Sequence, residues 1–222
     1  MNAQTQTAPP VMSLRPTPDT GQRLILPGVS WATYERLLAD FSDSHAAHFS
    51  YDQGVLEIMV LSLRHEKLKH ILETLIEFLA AELDIDLEGA GSTTFRRADL
   101  ARGFEPDACF YIANADYIRQ KEEVDLAEDP APDLVIEIDI SSPSLEKLPI
   151  YAAVGVPEIW RYDGTSSIIF QLQEGAYQES KQSLAFPHLT PTVLTQFVQD
   201  GQTLRRAAWL RKLRGWVQET TE

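Results

Sequence analysis

Near the middle of the chain, two strand-like segments carry acidic residues and a lysine follows them. These residue types are suited to catalysis. Asp107 lies in a strand-like segment, and Glu137 and Asp139 lie two positions apart on the next strongly strand-like segment. Because side chains alternate along a strand, Glu137 and Asp139 are predicted to share one face. Buried strands seldom carry carboxylates without partners, since an unpaired buried charge is costly. These carboxylates are therefore candidates for a functional site.

Lys147 follows at the start of a predicted helix, where a cation opposes the positive end of the helix dipole. Neighbouring carboxylates would relieve that misfit. Mg²⁺ prefers oxygen ligands and is commonly held by one or two carboxylates, with waters and substrate phosphate oxygens. Asp107 and Glu137 could supply the carboxylates, and the metal would polarise a scissile phosphate and lower the pKa of a bound water. Lys147 would orient that water or stabilise charge on the phosphoryl group, so the set suits phosphodiester hydrolysis.

The elements that must position these residues are predicted from hydrophobic periodicity. Residues 62 to about 83 have the pattern of a long amphipathic helix, and residues 134–138 have that of a central strand that is apolar on both faces. The order of helices and strands predicts an α/β domain with a mixed sheet flanked by helices. The remaining predicted elements are a helix over about 31–38 with Ser30 as its N-cap, a hairpin within 49–60 around a turn at 52–54, and strands at 92–98 and 104–112 joined by an Arg102-Gly103 loop after breakers at Gly89 and Gly91. They continue with a helix at 148–154, strands at 158–162 and 167–172, and a helix from 190 to about 199.

Both ends of the chain differ from the central domain, which is predicted to span residues 23–200. Residues 1–22 are rich in Thr, Pro and Gln and are predicted to form a flexible arm. Residues 201–222 are predicted to form an amphipathic helix that packs on the domain or extends it. Its basic residues are interleaved with Trp209 and Trp216 and could contact phosphates. The favoured interpretation is that they form the solvated face of a helix whose tryptophans dock it on the domain. The basic residues are Arg205, Arg206, Arg211, Lys212 and Arg214.

Composition limits the class of protein. A length of 222 residues suits one substantial domain, and no apolar run approaches the roughly 20 residues of a membrane span. The single cysteine, Cys109, excludes an intramolecular disulfide framework and a cysteine zinc site, and the polar start is no secretory signal, so a cytoplasmic location is expected. The net charge of −14 argues against a nucleic-acid-binding surface unless positive charge is concentrated or metal ions neutralise carboxylates.

Several short motifs occur in a fixed order along the chain. They are Pro106-Asp107, residues 132–137 and 141–144, Lys147 with Tyr151, and residues 155–160. This arrangement resembles the Uma-type restriction endonuclease family of the PD-(D/E)XK nuclease superfamily, over roughly residues 28 to 200. The resemblance implies a restriction-endonuclease-like core and cleavage of DNA that depends on Mg²⁺ or Mn²⁺. Many enzymes of this fold pair to cut both strands, so a homodimer is plausible.

The family pattern assigns roles to individual residues. Asp107 matches the motif aspartate and Glu137 the motif acidic residue, and both would bind metal. The superfamily places a lysine two residues after the acidic one, where this chain has Asp139. In the Uma-type pattern the lysine comes from the following helix, which makes Lys147 the third catalytic candidate. Glu66 resembles the auxiliary acid found on a helix in many of these folds.

Some alternatives stay open at this point. Asp139 could be a second metal ligand or a cap for the next helix, and Glu66 could be an ordinary solvated residue. His65 and His70 are five positions apart, not the four that would place both on one helical face, which excludes a zinc-protease motif with Glu66. The displaced lysine and the acidic composition favour the main rival, a catalytically degenerate protein that keeps a nuclease fold for binding. Hydrolysis of another phosphoester is a second rival.

Overall fold

The structure is a computed structural model that describes residues 22–41, 47–140 and 146–221. In these residues, eleven strands form two sheets, accompanied by six α-helices. The predicted α/β class with a mixed sheet is therefore confirmed. The motif at residues 141–144 and the predicted arm lie outside the described residues. Gln22 is the exception, because it begins the first strand and does not belong to an arm.

The smaller sheet is antiparallel, and its hairpin is the one predicted from the turn at residues 52–54. Gln53 and Gly54 both have positive φ at that turn. Ser30 caps the helix that covers this sheet by accepting the amide of Thr33 at 3.2 Å. In spatial order the strands are β1 (Gln22–Pro27), β3 (Val55–Val60), β2 (Ala47–Asp52), β6 (Arg102–Phe104) and β5 (Phe95–Arg97), and the helix is α1 (Trp31–Asp40).

The larger sheet contains the candidate site. The predicted central strand lies inside it and pairs parallel with one neighbour and antiparallel with the other, so the sheet is mixed. In spatial order the strands are β11 (Ala176–Ser180), β10 (Ser167–Gln173), β9 (Glu158–Tyr162), β8 (Leu134–Ile138), β7 (Ala108–Tyr111) and β4 (Glu88–Gly91), and β8 and β9 are the parallel pair.

Helices cover both faces of the larger sheet. Ile136 and Ile138 pack with the apolar stripe of α2 on one face, whereas Val135 packs with Ile150 and Tyr151 of α4 on the other. Because side chains alternate along β8, Glu137 lies on the α4 face together with Val135. The helices are α2 (Leu63–Glu82), α3 (Ala115–Ile118), α4 (Leu148–Val154), α5 (Pro191–Thr203) and α6 (Arg206–Thr221). Among the helices described, none is both long and apolar enough for a membrane span.

Several predictions about local structure were wrong. Gly89 and Gly91 do not break the chain but lie in β4, where the pairing with β7 is irregular. The Arg102-Gly103 segment is strand β6 and not a loop. A Cβ on Gly103 would lie 2.2 Å from the Tyr34 hydroxyl, so the glycine allows α1 to pack this closely on the sheet. The sequence pattern signals flexibility at these glycines, whereas tertiary packing uses their small size.

The end of the chain forms two helices. α5 extends to Thr203, past the predicted boundary at residue 200, and α6 follows from Arg206. Trp209 is fully buried, and its indole N–H donates to the carbonyl of Phe197 at 2.9 Å. The terminal helix is therefore docked through a tryptophan, as predicted, and its basic residues at 205, 206, 211, 212 and 214 are exposed.

Candidate active site

Asp107 lies immediately before β7 and is fully buried. Its Oδ2 accepts hydrogen bonds from His65 Nε2 at 3.1 Å and from the amide of Ile138 at 2.6 Å, whereas its buried Oδ1 has no hydrogen-bond partner among the described residues. Burial acts to raise the pKa of Asp107, but the bond to His65 and the charges of His65 and Lys147 outweigh it and hold this pKa at about 2. Asp107 is therefore an ionised carboxylate with one oxygen free for a ligand.

Glu137 projects from β8 towards α4. Its Oε2 accepts a hydrogen bond from Lys147 Nζ at 2.8 Å, and its Oε1 accepts one from the Tyr151 hydroxyl. Burial raises the pKa of Glu137 and the charge of Asp107 adds to the rise, while Lys147 opposes it. Asp107 and Glu137 therefore interact electrostatically, and the structure brings both together with Lys147.

Lys147 occupies the N-cap position of α4, with Pro149 in the first turn and Gly155 closing the helix at φ 82°. Only 8% of its surface is exposed. Burial acts to lower the pKa of Lys147, but the nearby charges of Glu137 and Asp107 outweigh this effect and raise it. The side chain therefore stays a cation. The carboxylates relieve the unfavourable position of Lys147 at the helix dipole, as the sequence suggested.

Asp139 lies just beyond β8, where its amide donates to the carbonyl of Tyr162 at 2.9 Å. Its Oδ1 is 3.6 Å from Arg23 Nη1, and Arg23 Nε is 3.6 Å from Glu57 Oε2. Asp139 and Glu137 line the same cavity of about 60 Å³. Because Lys147 occupies the N-cap of α4, Asp139 does not cap that helix.

Glu66 lies in the first turn of α2, and half of its side chain is exposed. Its Oε1 is 3.9 Å from His65 Nδ1. Glu66 lines a separate cavity of about 980 Å³ together with His48 and Glu105. The structure thus places Glu66 beside His65, at the margin of the Asp107–Glu137–Lys147 cluster.

Two residues near the reactive groups were missed from the sequence. His65 was considered only within a rejected zinc motif, yet it is buried and bonded to Asp107. The available signal was its spacing: His65 precedes Leu68 and Leu72 on the buried face of α2. Tyr151 was named only as part of a motif and was given no catalytic role. It is fully buried, but its hydroxyl also donates to Glu137. That contact has no signature in the sequence.

The donor set fits a hard divalent cation. Within the described part of the chain, no group of three or more His, Cys, Asp or Glu side chains could hold a metal ion. Mg²⁺, however, commonly takes one or two carboxylates, and water and substrate oxygens complete its shell. Asp107 Oδ1 is an unpartnered buried carboxylate oxygen in the electrostatic neighbourhood of Glu137. Asp107 and Glu137 together supply the two carboxylates of that requirement.

Comparison with known proteins identifies the family. The family model Uma2, described as "Putative restriction endonuclease", matches residues 31–205, which include Asp107, Glu137 and Lys147. The chain belongs to the Uma2 family. This membership supports a nuclease-like function and confirms the resemblance seen in the motifs. The comparison with curated proteins gives no match.

Chains of solved structures also match this protein, and one of them serves as an example. It is a crystal structure of "a putative nuclease belonging to DUF820" from Anabaena variabilis, with 16% sequence identity and a TM-score of 0.48. The similarity covers 68% of this chain and 90% of that chain. The assignment to the Uma2 family rests on the family match.

Proposed function

We propose that this Uma2 family member is a divalent-metal-dependent endonuclease that hydrolyses phosphodiester bonds in DNA. One observation carries the proposal: in the part of the chain that the structure describes, buried Asp107 Oδ1 has no hydrogen-bond partner and lies near the ion pair of Glu137 and Lys147. A buried carboxylate oxygen without a hydrogen-bond partner costs folding free energy unless a ligand binds to it. Membership of a nuclease family supplies the class of substrate, and the oxygen donors suit Mg²⁺ or Mn²⁺.

Asp107 and Glu137 would hold the cation. When bound, the cation would supply Lewis-acid polarisation of the scissile phosphate. His65 and the Ile138 amide both bond Asp107 Oδ2, so they orient the carboxylate and leave Oδ1 available. Tyr151 similarly holds Glu137 through its Oε1.

Lys147 would act as a positive charge and a hydrogen-bond donor. Its pKa is raised, because Glu137 and Asp107 outweigh the effect of burial, so it does not serve as a general base at neutral pH. A buried ammonium can stabilise negative charge on the transferring phosphoryl group or orient the attacking water. Within the described residues, neither Asp139 nor Glu66 forms a hydrogen bond or ion pair with Asp107 or Glu137, so these two residues are auxiliary acids at most.

The test is Mn²⁺-dependent nicking of supercoiled plasmid by the wild type and by Asp107→Asn, Glu137→Gln and Lys147→Met. Lys212→Met is the matched control, because Lys212 also pairs with a carboxylate, Asp200, but lies outside the site. We expect the three site variants to lose activity and the control to keep it. Equal cleavage by a site variant and the wild type would exclude that residue from catalysis.

A catalytically degenerate binding protein is the second candidate function. It is favoured because both oxygens of Glu137 are already engaged, by Lys147 and Tyr151. Electron paramagnetic resonance of Mn²⁺ separates the two candidates. A functional site binds Mn²⁺ in the wild type and not in Asp107→Asn, whereas a degenerate site binds in neither and the plasmid stays intact.

Cleavage of both strands of a duplex would call for two active sites, so we also propose a homodimer. Two copies of one domain can present a pair of such sites in a symmetric arrangement. Light scattering tests this, and a monomeric mass for a protein that makes double-strand breaks in a single encounter would contradict it.

A further inference from the structure

A group of cations lies beside the candidate site and is not part of it. Arg64 and Lys67 of α2 and Arg206 of α6 line a cleft of about 560 Å³, together with one carboxylate, Glu66, and with His70 and Gln202. All six side chains are exposed. We call this the α2–α6 cleft.

The three cations of the α2–α6 cleft outnumber its one carboxylate, Glu66. Elsewhere, Arg214 pairs with Glu82 at 2.7 Å, and Arg119 pairs with Asp86 at 2.6 Å. Within the described residues, no carboxylate forms an ion pair with the three cations of the cleft, Arg64, Lys67 and Arg206. In a chain with a net charge of −14, a cleft with three unpaired cations and one carboxylate is unusual.

Arg206 is nevertheless held in place by groups other than carboxylates. Its Nη2 lies 3.0 Å from His70 Nε2 and also donates to the Thr74 hydroxyl, and its guanidinium lies 4.9 Å from the ring centre of Trp209. Arg64 and Arg206 both lie in the first turn of their helices, where the helix dipole disfavours a cation. Helix stability therefore does not explain why these positions are basic.

The cleft adjoins the candidate site. Arg64 precedes His65, the residue bonded to Asp107. The side chain of Arg64 also approaches Gly164: its Nη2 is 3.6 Å from the position that a Cβ on this glycine would occupy. Ile140, which follows β8, lies against the same glycine. The cleft cation Arg64 therefore lies near the C-terminal end of β8, the strand that carries Glu137.

We propose that the α2–α6 cleft binds the phosphate backbone of duplex DNA next to the candidate site. The inference rests on the proposed function, and it adds where the substrate lies. A polyanion is attracted by adjacent unpaired cations, and most of this acidic chain repels it. The arrangement supplies the concentrated positive charge that the composition seemed to lack.

The test is binding of a fluorescently labelled duplex of about 20 base pairs in EDTA, where metal-dependent cleavage cannot occur, across a range of salt concentrations. The variants are Arg64→Gln/Lys67→Gln and Arg206→Gln. The control, Arg36→Gln/Lys181→Gln, removes the same charge from two exposed cations elsewhere. Thermal unfolding verifies that each variant is folded.

We expect the Arg64/Lys67 variant to lower the slope of log affinity against log salt by about 2, and Arg206→Gln to lower it by about 1, with the control unchanged. An equal loss in the control, or no binding by the wild type, would overturn the proposal. So would displacement of the duplex by millimolar inorganic phosphate, which would indicate a small-anion site.

Failure of the cleft and failure of the nuclease proposal give different results. Plasmid nicking with Mn²⁺ by the wild type, together with unchanged duplex binding by the cleft variants, would overturn only the cleft. Duplex binding that depends on the cleft cations, in a protein that neither nicks DNA nor binds Mn²⁺, would support the cleft and overturn the nuclease.

Discussion

Asp107 and Glu158 are two buried carboxylates of the same sheet that are satisfied in different ways. Glu158, at the start of β9, accepts hydrogen bonds from the Trp160 indole on one oxygen and from the amides of Leu184 and Ala185 on the other. Asp107 leaves Oδ1 without a partner. Burial of an acid therefore does not by itself indicate chemistry, whereas an unsatisfied oxygen near a buried cation does.

The pKa values of the two carboxylates are shifted in opposite directions. Burial raises the pKa of Glu158, and its neutral donors only moderate the rise. Burial also acts on Asp107, but His65 and Lys147 hold the pKa of Asp107 at about 2. Glu158 ties a loop to the sheet, and Asp107 is kept charged next to other charged groups.

The largest expected effect is a difference in nicking activity between variants of Asp107 and Glu158. Asp107→Asn keeps an acceptor for His65 and the Ile138 amide but loses the charge, so we expect plasmid nicking to fall by about 10³-fold. Glu158→Gln should leave the activity per folded molecule unchanged. Initial nicking rates, normalised to the folded fraction, measure both, and a comparable loss in the two variants would break the comparison.

The second effect concerns the bond that orients Asp107. His65→Gln can still donate an N–H to Asp107 Oδ2, whereas His65→Leu cannot. We expect Leu to weaken Mn²⁺ binding by about 10- to 100-fold and Gln to restore much of it, as for groups that orient metal ligands. Titration followed by electron paramagnetic resonance measures the affinity. Equal weakening by Gln and Leu would assign His65 a packing role only.

The third effect concerns stability. Glu158→Gln places an amide N–H against either the Trp160 indole or the two backbone amides, so one donor loses its acceptor. We expect a loss of about 3 kcal/mol in the free energy of unfolding. Urea unfolding measures it. A loss well under 1 kcal/mol would mean that these hydrogen bonds do not stabilise the loop.

The smallest effect is a dependence on pH. Because the pKa of Asp107 is lowered from 3.8 to about 2 in the folded chain, its contribution to stability is present above pH 3.8 and is lost as pH falls towards 2. Between pH 5 and 3, the stability of the wild type should fall relative to Asp107→Asn by about 1 kcal/mol. Urea unfolding at several pH values tests this. A constant difference would contradict the lowered pKa.

Much of the local structure was predictable because it depends on neighbouring residues. The apolar run of β8, the capping serine of α1, and the proline and closing glycine of α4 are local signals, and the structure has these elements where they indicate. The residue types at Asp107, Glu137 and Lys147 likewise suggested one kind of chemistry. Their catalytic role remains a prediction.

Tertiary structure decided how those residues meet. Nothing local indicates that a lysine ten positions after Glu137 approaches it to 2.8 Å, or that His65 bonds an aspartate 42 positions away. The two sheets also depend on distant pairing, as between β2 and β6. The sequence by itself determined the types of group available and the helices and strands that carry them. Packing alone determined which oxygen stays free, because that depends on the distances between distant segments.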